Sequence, residues 1–139
     1  MVGHQATDIV IELYDGKYHP VDSKDIAFQM AGKQAIRQAF TQAKPLLMEP
    51  LYKVEVVVPE QMVGDVMGDM NTRRGRILDM ENRGRRAVVT ALVPLKEMLS
   101  YAPDLRSMSG GKGSYTMEFD GYETVPPHVY KALVKDLAK

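Results

Sequence analysis

The stretch Tyr52-Lys53-Val54-Glu55-Val56-Val57-Val58, followed by Pro59-Glu60, decides the fold. Four valines within seven residues read as a strand, because β-branched side chains suit a pleated, half-buried surface. Pro59-Glu60 then opens a helix whose core face is Val63, Val66, Met67 and Met70. Arg73 and Arg74 fall in its last turn, where cations suit the helix dipole, and Gly75 is placed to end it. Downstream, residues Arg76 to Glu81 and Ala87 to Val93 read as paired strands joined by the hairpin-like link Asn82-Arg83-Gly84-Arg85. A short helix follows Pro94, with Leu95, Met98 and Leu99 predicted to face inward. A loop ending in Gly110-Gly111-Lys112-Gly113 leads into a last strand, Ser114 to Asp120, with Tyr115, Met117 and Phe119 on one face. The order strand, helix, strand, strand, helix, strand predicts an α+β, ferredoxin-like split βαβ domain: an antiparallel four-stranded sheet with two helices.

Upstream, the texture differs. Residues Thr7 to Leu13 read as a strand, and Asp15-Gly16 as a turn. A polar loop, Lys17 to Ser23, precedes a long helix from about Lys24 to Ala43, which Asp22 or Ser23 can cap. Ala27, Ala31 and Ala35, with Phe28, Ile36, Ala39 and Phe40 nearby, predict a stripe able to sit close to a sheet. Pro45 and Pro50 break the chain between the two regions, and Pro126-Pro127 starts a final helix through Tyr130, Leu133, Val134 and Leu137. The domain reading is therefore 1–48, 49–124 and a C-terminal helix at 125–139. One strand and one helix cannot bury both their faces alone, so the first region reads as part of a larger domain. An open strand at residues 7–13 also predicts self-pairing as a route to a dimer.

Composition narrows the function classes. Charged residues are 26% of the 139 and sum to zero net charge, which argues against both a disordered tail and bulk-charge binding of nucleic acid. There is no cysteine, and His4, His19 and His128 lie far apart, so no metal site is expected. No apolar run is long enough to span a membrane, and the cytoplasm is the default compartment.

The motifs are weak when taken singly. Ser109-Gly110-Gly111-Lys112-Gly113-Ser114 lacks the spacing of a phosphate-binding loop and precedes a strand, so it reads as a turn or as a surface loop touching RNA phosphate. Lys112 to Phe119 echoes an RNA-stacking strand only loosely, and Tyr115 and Phe119 read as core. Gly64 and Gly68, four apart in a helix, predict close packing on the sheet. Arg73, Arg74, Arg76, Arg83, Arg85 and Arg86 are the most basic stretch, and either solvation or phosphate contact accounts for them. No nucleophile or orienting partner stands near His19, and no catalytic constellation is legible anywhere.

Three segments together resemble elongation factor G. The first is Tyr14-Asp15-Gly16-Lys17-Tyr18-His19-Pro20-Val21-Asp22-Ser23 with Ala27-Phe28 and Ala31-Gly32, similar to the tip loop and long helix of the family's domain IV. The second is Leu47-Met48-Glu49-Pro50, Lys53-Val54-Glu55-Val56, Pro59-Glu60, Gly64 to Asp69 and Arg73-Arg74-Gly75, similar to the start of domain V. The third is Val93-Pro94-Leu95, Met98, Tyr101-Ala102, Asp104-Leu105-Arg106-Ser107 and Gly113-Ser114-Tyr115, similar to its second half. The resemblance implies a partial domain IV (strand, tip loop, long helix) ahead of the ferredoxin-like domain. It also implies a role in moving tRNA and mRNA on the ribosome. Lys17, Tyr18, His19, Pro20, Val21 and Asp22 would form a tip entering the decoding centre. His19 matches the position that carries diphthamide in the eukaryotic elongation factor 2. Arg106, Ser107 and Lys112, with Arg73 and Arg74, would contact ribosomal RNA and the stalk-base protein. Pro20 departs from the acidic or polar residue common at its position. The family's P-loop, switch regions and guanine-specificity motif have no counterpart in these residues. The GTPase with its GTP and Mg²⁺ is therefore expected to lie outside this stretch, with no cofactor here. The resemblance covers a translocase and a recycling paralogue alike, and a free-standing RNA- or protein-binding module is the alternative.

Overall fold

The computed structural model describes residues 3–137. In chain order its elements are α1 (Asp25–Gln42), β1 (Met48–Pro59), a 3₁₀ turn (Glu60–Met62), α2 (Val63–Thr72), β2 (Arg76–Arg83), β3 (Arg86–Pro94), α3 (Leu95–Met98), α4 (Tyr101–Met108), β4 (Ser114–Thr124) and α5 (Pro127–Leu137). The chain divides into two compact units: Met48–Val125, and a second made of Met1–Leu47 with Pro126–Lys139.

In the Met48–Val125 unit the strands form one antiparallel sheet in the order β2-β3-β1-β4, as a split βαβ connection requires. The two central strands carry the core. Val54, Val56 and Val58 of β1 are fully buried on one face while Lys53 and Glu55 stay exposed on the other, and Ala87, Val89, Ala91 and Val93 do the same on β3. Val66 and Met70 of α2, Met98 of α3, and Tyr101 and Leu105 of α4 close the core from the helical side. Each buried valine contributes about 1.5–3 kcal/mol. One strand therefore outweighs several exposed ion pairs.

The structure departs from the sequence expectation at several places in this unit. β1 starts at Met48, because Met48–Leu51 pair with Gly121–Thr124. Pro50 fits there since only β4 flanks that end of β1, so its missing N–H breaks no second ladder. β4 runs on to Thr124, past a bulge at Asp120, the residue at which the sequence pattern stops. Tyr101–Met108 is a helix, not a loop: Tyr101 and Leu105 are buried four apart, and Pro103 sits in the first turn, where its missing N–H costs little. Leu99 was expected inward but is 78% exposed, because α3 ends at Met98. Gly64 and Gly68 do not pack on the sheet; a methyl group on either would meet nothing within 4 Å.

In the other unit α1 spans Asp25–Gln42, within a residue of expectation at each end, and Lys44 follows in the left-handed region with Pro45 behind it. The expected strand at Thr7–Leu13 is not formed; these residues are exposed and without regular structure. A strand is defined by a neighbour that takes its backbone bonds, and no other segment pairs with this one among the described residues. The same lack leaves α1 without a buried residue, so the alanine stripe meets no sheet. Lys24 is the N-cap and no side chain caps the helix. α5 starts at Pro127, as the Pro126-Pro127 signal predicts. Of the residues expected to line it, the Leu137 side chain lies outside the described residues.

Candidate functional site

The residues expected to form the tip, Lys17, Tyr18, His19, Pro20, Val21 and Asp22, are all exposed. The loop is nonetheless ordered by its own bonds. The Ser23 hydroxyl, instead of capping α1, accepts from the His19 backbone N–H, and the Ser23 N–H donates to the His19 carbonyl at 3.0 Å. His19 Nδ1 lies 3.4 Å from the Val21 N–H and 3.4 Å from Asp22 Oδ2. These two contacts exclude each other chemically. Bare Nδ1 accepts from Val21, whereas protonated Nδ1 donates to Asp22. Either way Nδ1 is turned to its own loop. The arrangement displays a ring on a short polar turn and holds no nucleophile.

Arg73 and Arg74 are placed otherwise than a solvent-facing contact requires. Arg73 is 12% exposed; Nε donates to Asp69 at 2.8 Å, Nη1 to the Glu97 carbonyl at 2.8 Å, and Nη2 to Asp104. Its guanidinium lies 4.9 Å from the centre of the Tyr101 ring. Burial lowers its pKa, but the bonds to Asp69 and Asp104 more than offset this, and the net shift is upward. Arg74 is 22% exposed and grips both Glu49 oxygens at 2.8 Å, with Glu97 Oε1 at 3.3 Å; the Glu49 bond leads the causes that raise its pKa. Both forks are spent on tying α2 to β1, α3 and α4. The Asp69–Arg73 spacing of four was legible in the sequence; the partners Glu49, Glu97 and Asp104 were not.

Arg74 also shapes the end of α2. The Gly75 N–H donates to the Met70 carbonyl at 2.8 Å and the Arg74 N–H to Asn71 at 3.1 Å, the bond pair of a Schellman stop. Arg74 takes the left-handed position of that stop at φ 59°. Gly75 is needed for space instead: a Cβ there would lie 2.8 Å from the Met70 oxygen.

Arg106, Ser107 and Lys112 are exposed around the end of α4. The glycine cluster between them is a second Schellman stop, with Gly110 at φ 57°, its N–H donating to Ser107 and the Gly111 N–H to Arg106 at 2.9 Å. The Lys112 N–H donates to the Ser109 carbonyl at 3.1 Å, and the Gly113 N–H to the buried Ser109 hydroxyl at 2.9 Å. Every backbone N–H from Gly110 to Gly113 is thereby consumed. The stretch does not fit the phosphates of a nucleotide, which a phosphate loop cradles with free amides.

Tyr115 packs on the helical side, edge to face with Tyr101 at 4.9 Å, so it offers no stacking platform on the uncovered sheet face. Phe119, expected as core, is 49% exposed and sits between Tyr52 and Tyr122. The uncovered face carries a shallow depression of about 280 Å³ lined by Lys53, Glu55, Asp79, Glu81 and Arg83 among others, with no converging catalytic groups. No set of three His, Asp or Glu side chains able to hold a metal occurs among the described residues.

Comparison with known proteins places this geometry. Residues 46–133 match the family described as elongation factor G C-terminus, and residues 1–44 match elongation factor G, domain IV. Among solved structures, a crystal structure of a Thermus thermophilus protein is similar at 47% identity and a TM-score of 0.71, over 90% of this chain. The chain spans 19% of that protein's length.

Proposed function

The chain belongs to the elongation factor G family, and we propose that it is the ribosome-touching end of a translocation factor. The observation that carries the reading is the pair of family matches, domain IV at 1–44 and the C-terminal domain at 46–133, on a chain with an exposed, self-ordered tip. We assign residues 1–48 to part of domain IV, 49–124 to domain V and 125–139 to a C-terminal helix. Lys17, Tyr18, His19, Pro20, Val21 and Asp22 reach the decoding centre, near tRNA and mRNA. Arg106, Ser107 and Lys112 meet ribosomal RNA and the stalk-base protein, while Arg73 anchors α4 through Asp104 and Arg74 ties the end of α2 to Glu49 and Glu97. This is a positioning role, in which rate comes from orientation and not from a bond-making side chain. GTP and Mg²⁺ act on the factor's GTPase and not on these residues. The working compartment is that of the ribosome, the cytoplasm; no helix among the described residues is long and apolar enough to cross a membrane.

The test is competition. The purified chain should co-sediment with ribosomes and slow translocation by an intact elongation factor G, while hydrolysing no GTP itself. His19→Ala should weaken the inhibition of translocation by roughly tenfold, a change of ~1.4 kcal/mol, and leave sedimentation nearly unchanged. Failure to co-sediment sinks the reading, and interference with subunit splitting in place of translocation would assign the chain to recycling.

A further inference from the structure

Two chain connections join the Met48–Val125 unit to the other, at Leu47–Met48 and at Val125–Pro126. They are far apart in sequence, but the fold sets their strand ends side by side: Met48 pairs with Thr124 and Glu49 with Glu123. The Thr124 hydroxyl also donates to the Met48 sulfur at 3.5 Å, and Val125 is buried. β3 pairs with β1 only from Leu51 onward, so this two-stranded root has no third strand to brace it. It also sets two carboxylates opposite each other, and like charges across a strand pair repel. One turn supplies both counter-charges. Arg74, between α2 and β2, grips both Glu49 oxygens at 2.8 Å, and Arg76, at the start of β2, lies 3.5 Å from Glu123. The Arg74–Glu49 pair is mostly shielded from solvent and is the strong one; the Arg76–Glu123 pair is exposed and adds little by itself.

We propose that the Arg74-Gly75-Arg76 turn is a positioning clamp: it fixes the root from which both connections leave, and so sets how stiffly the tip-bearing unit is carried. The backbone of Arg74 supports this. It is left-handed at φ 59°, a conformation that strains a residue with a Cβ and that glycine adopts freely. As a helix stop alone, the position would be served better by glycine. What arginine adds is the fork on Glu49, with Glu97 Oε1 at 3.3 Å. Backbone strain persists only where the surrounding structure holds it, and such positions cluster where geometry is put to use. Beyond the root few bonds are left to bend: Pro45 lies on one connection and Pro126 on the other, each with φ fixed by its ring. The clamp itself does not depend on what the tip meets, but its consequence rests on the ribosome reading. The tip loop and the Arg106–Lys112 surface belong to different units, so engaging both at once depends on the stiffness of the link.

The chain has no cysteine, so spin labels can be placed by substitution alone. Label-to-label distance distributions are measured in the whole 139-residue chain for two pairs. One pair, Gln34→Cys with Thr116→Cys, has a label in each unit; the other, Lys96→Cys with Thr116→Cys, lies within Met48–Val125. Arg74→Gly with Arg76→Gln keeps the helix stop and removes the clamp. It should about double the width of the first distribution and leave the second unchanged. Equal widths with and without the substitutions overturn the clamp, and broadening of both pairs overturns it in favour of a plain role in folding. In the ribosome competition assay the same double substitution should weaken inhibition of translocation by about tenfold, with His19 and the Arg106–Lys112 surface untouched. Broadening without loss of inhibition overturns the positioning role. If the unaltered chain does not co-sediment with ribosomes, the ribosome reading fails, and the distance measurement still decides the clamp.

Discussion

At the residue scale the most constrained polar atom is the Tyr101 hydroxyl. It is buried with no hydrogen-bond partner among the described residues, while its ring packs between the Arg73 guanidinium and Tyr115. Burial, the largest influence, pushes the phenol's pKa well above its ordinary value, so it stays neutral at any working pH. An unpaired buried hydroxyl costs about 1–3 kcal/mol. Tyr101→Phe removes that cost and keeps both ring contacts. Urea unfolding should show a variant at least as stable as the parent, by up to about 1 kcal/mol; a clear loss would mean that the hydroxyl is satisfied after all.

At the element scale α2 sets two kinds of glycine side by side. Gly64 and Gly68 face open space and contribute only backbone entropy, so Gly64→Ala and Gly68→Ala should each stabilise by ~0.5–1 kcal/mol. Gly75 ends the same helix against the Met70 carbonyl and Val93, with no room for a methyl group. Gly75→Ala should destabilise by about 1–3 kcal/mol. Thermal melts of the three variants check the contrast, and a shared sign would refute it. Sequence alone assigned the opposite meaning to the first pair, because spacing reveals that two glycines share a helix face but not whether that face is covered.

At the scale of the molecule, stability is concentrated in one unit. The buried valines and alanines of β1 and β3 lie in Met48–Val125, while α1 buries nothing and exposes Ile26, Phe28, Met30 and Ile36. Amide hydrogen exchange should therefore be slowest in β1 and β3 and markedly faster along α1; equal protection would show that α1 is covered in solution. Periodicity and turn signals were enough to determine the four-stranded sheet, the long helix and the exposed loop around His19, and the resemblance of three segments pointed to the family, because each is written in local runs of ten to twenty residues. The Thr7–Leu13 strand was misread for the same reason: its alternation is local, but pairing needs a partner strand. Which arginines are free was decided by tertiary structure alone. Arg73 and Arg74 looked like surface cations until Glu49, Glu97 and Asp104 were brought to them. Arg86 read equally well as solvated or as a phosphate contact, and its bond to the Lys112 carbonyl was visible only in the fold. A charge's role depends on which opposite charges reach it, and that is fixed by register and packing between segments distant in the chain.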